Sequence, residues 1–221
     1  AIGYQALSTD VAGQNSVAVG YNALFAQNFT TATNTYNVAV GRSAGESIST
    51  GIHNTLVGAS AGDALTDADQ NVAVGYLALS ADTLGSKSTA LGQGTLKVQN
   101  FTTATDSYNT AVGYQAGAAV TTGQYNTLIG AQAGDAITTG GSNVAVGYFA
   151  LSTEDGHGLN VAVGNRALAN QNAGANAYNV AVGTDAGYAI TTGIQNTLIG
   201  GLAGDAITDA DYNIAVGYNA L

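Results

Sequence analysis

Four residue types that usually help to build a compact core or a reactive site are missing from this chain. It has no cysteine, proline, tryptophan or methionine, and only four phenylalanines. Without cysteine the chain can form neither a disulfide nor a thiolate metal site. Without proline every residue keeps its backbone N–H donor, which favours an uninterrupted ladder of hydrogen bonds.

Basic residues are also scarce. Fourteen acidic residues face only four basic ones, and the formal net charge is -10. Because phosphate and anionic lipid carry the same sign of charge, we expect no nucleic-acid partner and no attraction to an anionic membrane. No apolar run is long enough to span a bilayer, so membrane insertion of this segment is not expected either.

What the chain does contain is a short motif that repeats from end to end. Asn71–Gly75, with the sequence NVAVG, is one copy of it. The motif glycine recurs at a constant interval, as from Gly58 to Gly75, except that the interval is longer after Gly20, Gly92 and Gly164. The coils therefore group in fours, as three super-repeats at about residues 3–74, 75–146 and 147–216.

The motif predicts a β-strand that pairs with its own copy one coil further on. Val72 and Val74 are β-branched and share one side of a strand, while Ala73 points to the other side. We assign the two valines to the core and the alanine to the outside. These features indicate an all-β fold, a parallel β-solenoid (β-roll) of about 13 coils. We expect it to form a single domain, residues 1–221, excerpted from a longer fibre.

A second column of residues predicts how the interior is filled. Four residues after the motif glycine, leucine stands in two successive coils and glycine in the next two. Where glycine stands, an aliphatic residue follows three positions later, as Ile48 follows Gly45. We expect each coil to bury one such larger side chain at one of two depths, because close packing makes neighbouring layers share volume.

An asparagine precedes the motif in ten coils, and Ser16 and Ser88 replace it in two others. Asparagine accepts the left-handed backbone of a turn and hydrogen-bonds locally, and stacked amides form ladders between strands. We therefore predict a turn ladder without catalytic role. Its members are Asn37, Asn54, Asn71, Asn109, Asn126, Asn143, Asn160, Asn179, Asn196 and Asn213.

Leucine replaces the middle alanine of the motif once per super-repeat, at Leu56, Leu128 and Leu198. If the flanking residues face the core, these leucines lie on a flat, outward apolar face, and such faces usually mark interfaces. They are the candidate face of a homo-oligomer. The alternative is that this side of the solenoid is simply small and aliphatic.

The long coil of each super-repeat carries an inserted loop with aromatic residues. Insertions on one side of a solenoid often form its binding face. The candidate recognition residues for a cell-surface glycan or a protein receptor are Phe29, Tyr36, Phe101, Tyr108 and Tyr178. The alternative is that these rings fold back over the edge of the roll.

Two segments carry a resemblance to known families. Asn15–Gly20 (NSVAVG) resembles the head repeat of trimeric autotransporter adhesins of the YadA type, and Asn109–Ala116 (NTAVGYQA) resembles related repeats of bacteriophage tail fibres. The likeness covers nearly the whole chain through a short, degenerate motif. It implies a left-handed β-roll, assembled as a trimer, in an extracellular attachment or spacer module on a virion tail fibre or a bacterial cell surface.

No group of residues has the spacing of a catalytic site. The two histidines, His53 and His157, occupy different coil positions, so we expect no enzyme and no cofactor. Aspartates cluster at residues 63–69 and 205–211, and calcium prefers such oxygens. The corresponding turn of the second super-repeat keeps only Asp135, which favours a turn-forming role and no metal site.

These observations predict a non-enzymatic structural or attachment fibre segment. One alternative is a self-assembling extracellular filament or sheath subunit without a receptor. Another, with less support, is an ice-binding solenoid, because paired threonines occur only in some coils.

Overall fold

The computed structural model describes all 221 residues, which form two compact units, Ala1–Tyr108 and Asn109–Leu221. Both units consist of short strands and tight turns, without helices. The strands are, in chain order, β1 (Gly13–Gln14), β2 (Val17–Val19), β3 (Thr33–Asn34), β4 (Val38–Val40), β5 (Thr55–Val57), β6 (Val72–Val74), β7 (Gly85–Ser86), β8 (Thr89–Leu91), β9 (Thr105–Asp106), β10 (Thr110–Val112), β11 (Thr127–Ile129), β12 (Val144–Val146), β13 (Val161–Val163), β14 (Val180–Val182), β15 (Thr197–Ile199) and β16 (Ile214–Val216).

The three-residue strands stack in parallel, each beside the same strand of the next coil. The order is β2-β4-β5-β6-β8 in the first unit and β10 to β16 in the second. Equivalent residues are in register, as in the pairs Thr55↔Val72 and Thr127↔Val144. The predicted parallel β-solenoid is therefore confirmed, with about twelve turns counted over both units, one for each three-residue strand. Its left-handedness and its extent as one domain stay predictions.

The structure reverses the predicted sides of the strand. Ala73 and its counterparts in the other strands are between 0% and 4% exposed, whereas Val72 and Val74 are half-buried on the outside. The assignment of the valines to the core was wrong because it ranked side chains by hydrophobicity alone. So short a coil encloses little volume, and its interior takes only the middle side chain of each strand, which is alanine in nine strands and leucine in three.

The motif glycine is required by the stacking of the coils. Gly58 has a φ of 136°, a backbone conformation that other residues avoid. A Cβ atom on it would lie 2.5 Å from the carbonyl oxygen of Gly75 in the next coil. The backbones of successive coils therefore approach each other at a point where no side chain fits.

The alternation of leucine and glycine in the turn also has a steric cause. A Cβ atom on Gly45 would lie 2.7 Å from Cδ1 of Leu56, and one on Gly62 would lie 2.8 Å from its Cδ2. Leu56 thus fills space that Leu24 and Leu79, both buried, fill in neighbouring coils. The predicted sharing of volume between layers is confirmed, and it accounts for one strand leucine per super-repeat.

Buried polar residues alternate with the aliphatic ones. Where leucine occupies the turn, the position three residues later is polar, as in Asp82 and Gln99, which are both fully buried. Gln99 Nε2 donates a hydrogen bond of 2.6 Å to Asp82 Oδ2. Each super-repeat therefore contains one such pair; the other two are Asp10–Gln27 and Glu154–Gln171.

The two longest coils add a small sheet at their edge. In the first super-repeat β3 pairs in parallel with β1, and in the second β9 pairs with β7. These extra pairs hold the inserted loop against the preceding coil. The shorter loop of the third super-repeat has no such strand pair.

Candidate functional site

The first and third residues of each three-residue strand form a surface that we call the outer face. Its third position is aliphatic in every strand, and its first position is valine, threonine or isoleucine. The side chains are partly open to solvent; Ile129 is 38% exposed and Ile199 is 41% exposed. Each unit thus presents an uncharged surface of aliphatic side chains and threonine, most of them β-branched.

Charged residues are excluded from the outer face. None of the fourteen acidic and four basic residues lies in a three-residue strand. The charges lie in the turns and inserted loops, as at Asp67, Asp106 and Asp185. Depletion of charge is typical of the centre of a protein–protein interface.

The prediction that the three strand leucines form the oligomer face is wrong. Leu56, Leu128 and Leu198 are all 0% exposed and point into the solenoid. They are interior because strand residues alternate between two sides and the narrow interior takes the middle position. The apolar surface open to a partner is the outer face, formed by the residues on either side of each leucine.

The two phenylalanines of the inserted loops are buried. Phe29 is 8% exposed and Phe101 is 5% exposed. The backbone N–H of Phe101 donates to Asp82 Oδ1 over 3.0 Å, and that of Phe29 donates to Asp10 Oδ1 over 3.1 Å. Both rings therefore fold back over the edge of the roll, and the prediction that they contact a receptor is wrong.

The loop tyrosines, in contrast, are open to solvent. Tyr36, Tyr108 and Tyr178 are each about half exposed. Tyr36 stacks on His53 with ring centroids 5.6 Å apart, and the Lys87 ammonium lies 5.2 Å from the centroid of the Tyr108 ring. These three residues remain the part of the predicted recognition surface that a ligand can reach.

The asparagines form the predicted ladder between coils, in the interior. Asn54 donates from its backbone N–H to Asn37 Oδ1 over 2.9 Å, and its Nδ2 donates to the carbonyl of Ala68 over 2.8 Å. The same bonds recur along most of the column. The left-handed residue, however, is the one before the asparagine, for example Gln70 with a φ of 59°. The expectation that asparagine itself adopts this backbone was wrong.

Two acids of the polar pairs, Asp82 and Asp10, differ in the direction of their pKa shift. Burial raises the pKa of Asp82 above its usual value, although hydrogen bonds from Gln99 and from the backbone of Phe101 and Gly85 oppose this shift. Burial also acts on the less enclosed Asp10, but there hydrogen bonds from Gln27 and from the backbone of Gly13 and Phe29 outweigh it, and the pKa is lowered.

The aspartate-rich turns bond to the preceding coil. Asp69 Oδ1 accepts the backbone N–H of Ile52 over 2.7 Å, and Asp67 Oδ1 accepts the Thr50 hydroxyl over 2.7 Å. Asp211 Oδ1 accepts the N–H of Ile194 over 2.8 Å in the same way. These contacts agree with the predicted turn-forming role.

No protein-family model, curated protein or solved structure matches this chain. None of its structural elements is a helix long and apolar enough to cross a membrane.

Proposed function

We propose that this chain is a non-enzymatic segment of an extracellular fibre that assembles with copies of itself through the outer face. The observation that carries the proposal is the repetition, on every three-residue strand, of an uncharged surface with an aliphatic residue at its third position. Exposed apolar surfaces that recur in this way usually mark interfaces. A trimer is the assembly that the resemblance to YadA-type head repeats implies.

The partner that fits this surface best is a second copy of the chain. With a net charge of -10, two copies repel each other wherever their acidic turns meet. The outer face is the part of each unit at which that repulsion is weakest, because no charged residue lies in its strands. A second copy also repeats with the same coil period, so contacts made in one coil recur in the next.

Attachment would then depend on the exposed loop tyrosines. Tyr36, Tyr108 and Tyr178 offer apolar ring faces with a polar hydroxyl, a combination suited to a cell-surface glycan or a protein receptor. We infer a place on a virion tail fibre or a bacterial cell surface from the resemblance. The alternative is a filament or sheath subunit without a receptor. Ice binding has less support, because valine and threonine follow no regular order on the outer face.

Sedimentation equilibrium of the tag-free chain tests self-association. We expect a defined oligomer, a mass of about three chains being the expected value. Val146→Lys, on the outer face of β12, should dissociate it, because a buried unpaired charge is costly. Asn165→Lys, at an exposed turn position, makes a matched control that should leave the mass unchanged.

The same measurement separates the two main alternatives. A mass that stops growing with concentration indicates a closed assembly, whereas a mass that keeps growing indicates an open filament. A wild-type chain that stays monomeric, or a Val146→Lys chain that assembles like wild type, would contradict the proposal.

A further inference from the structure

One turn of the third super-repeat departs from its two counterparts. In the first two copies an aspartate, Asp10 or Asp82, accepts the backbone N–H of a glycine three residues later, over 2.9 Å and 3.0 Å. A Cβ atom on Gly13 would lie 2.2 Å from Asp10 Oδ2, and one on Gly85 would lie 2.1 Å from Asp82 Oδ2. A side chain is therefore excluded from this position while aspartate is present.

The third copy changes both positions together. Glutamate replaces aspartate at Glu154, and His157 stands where the glycines stood. Glu154 stays fully buried, and its Oε2 accepts Gln171 Nε2 over 3.2 Å and the backbone N–H of Ala173 over 3.4 Å. The longer side chain thus keeps the polar pair of the fold, and the turn gains an imidazole beside the carboxylate.

The third copy keeps the backbone hydrogen bond of this turn, because the N–H of His157 donates to Glu154 Oε1 over 3.3 Å, but the imidazole itself makes no hydrogen bond to the carboxylate that it faces. His157 Nδ1 is buried, has no hydrogen-bond partner and lies 3.7 Å from Glu154 Oε1. That distance is too long for a hydrogen bond. An orphaned buried nitrogen costs free energy unless something satisfies it. A carboxylate oxygen of Asp155 completes the group, and the three atoms lie within 4.8 Å of one another.

We propose that Glu154, Asp155 and His157 bind a divalent transition-metal ion such as Zn²⁺. Zinc binds nitrogen and carboxylate oxygen at about 2.0–2.2 Å, so two ligand atoms of one ion are at most about 4.4 Å apart. The gap of 3.7 Å between Nδ1 and Oε1 fits that geometry. Asp155 is exposed and can close the remaining distance by rotating its side chain. Water would complete the coordination.

The ligand set also selects the metal. Imidazole suits zinc, copper and nickel, whereas calcium and magnesium prefer oxygen alone. Gln171 and the backbone of Ala173 hold the Glu154 carboxylate in place, as outer-shell donors do in metal sites. The first two super-repeats lack both the histidine and the second acid, so the chain should bind a single ion. This inference does not depend on the proposed fibre function.

Calorimetric titration of ZnCl₂ into the tag-free chain tests the site, together with NMR spectra of the imidazole rings. We expect one-to-one binding and a shift of the His157 signals, with those of His53, the other histidine, unmoved. Calcium chloride should bind far more weakly. Absence of saturable zinc binding, equal shifts of both histidines, or calcium binding as tight as zinc binding would overturn the proposal.

Two variants keep the test decisive. His157→Gly restores the residue of the other super-repeats. Loss of an outer-shell partner alone weakens metal binding by about tenfold or more, so loss of this direct ligand should weaken zinc binding at least about tenfold. Asp155→Asn, at an exposed position, should weaken it while leaving the circular dichroism spectrum unchanged. His53→Gln is the control and should bind like wild type. Zinc binding unaffected by both site variants would also overturn the proposal.

Discussion

Leu128 and Ile129 are neighbours in β11 with similar side-chain volume, yet they lie in opposite environments. Leu128 is fully buried, whereas Ile129 is 38% exposed on the outer face. A Cβ atom on Gly134 would come within 2.7 Å of Leu128 Cδ2, which shows how tightly the interior encloses that leucine. In a narrow coil, therefore, the position in the strand, and not hydrophobicity, decides which side chain is interior.

The two positions should therefore have separable roles. The middle residues of the three-residue strands determine whether a coil is stable, because their side chains fill the space between successive layers. The outer face contributes less to the stability of one chain and is available to a partner. Substitutions at adjacent residues should accordingly have effects of different kind and size.

The largest effect should come from Leu128→Ala. Removing this side chain leaves a cavity beside Gly134, and such changes cost about 2–5 kcal/mol of unfolding free energy. Ile129→Ala, the matched outer change, should cost only about 1 kcal/mol in the dissociated chain. Urea unfolding at low protein concentration measures both. Equal losses of unfolding free energy for Leu128→Ala and Ile129→Ala would contradict the separate roles of the interior position and the outer face.

Much of the fold was predictable from spacing alone. The recurrence of the motif glycine gave the coil length, because Gly58 and its counterparts must let adjacent backbones meet. The alternating β-branched residues indicated strands, and the asparagine column indicated a ladder. These features depend on local backbone geometry, which a short repeated motif determines directly.

Which side of the strand faces the interior was not predictable from the same motif. Alternation shows that Ala73 opposes Val72 and Val74 but does not say which side is the interior. That depends on the volume the coil encloses. A usable signal was present in the turn, because Leu56 occurs only where Gly45 and Gly62 leave space for it.

The buried acid–amide pairs were also missed. The acids occupy the same position in each of the three super-repeats, and so do the amides; the pairs are Asp10–Gln27, Asp82–Gln99 and Glu154–Gln171. This shared period could have identified a paired structural role. Acidic residues are nevertheless assigned to the surface by default, since an ionised carboxylate is costly to bury.

A smaller effect, a dependence of stability on pH, should distinguish the coils with a buried acid from those with an aliphatic interior. Burial raises the pKa of Asp82 in the folded chain, so between its usual value of about 3.9 and that raised value the folded state binds more protons than the unfolded state. Stability from this group is therefore lost as pH rises through the window and regained as pH falls.

Asp82→Asn removes the titrating group while its oxygen can still accept the N–H groups of Gly85 and Phe101. The bond from Gln99 Nε2 loses its acceptor at every pH, so only the pH dependence of the difference reports the titration. We expect wild type to gain stability relative to Asp82→Asn as the pH falls from 7 towards 4. Urea unfolding of both chains across this range measures the difference. A difference that stays constant, or that moves in favour of the variant at low pH, would contradict the assignment.

The accessibility of the outer face in solution tests the central proposal most directly. The chain has no cysteine, so Val146→Cys and Asn165→Cys each provide a single thiol for maleimide labelling. At concentrations where the chain assembles, we expect Val146→Cys to be protected relative to Asn165→Cys, and we expect dilution to remove the protection. Labelling of Val146→Cys at one unchanged rate across all concentrations would show that no partner covers the outer face.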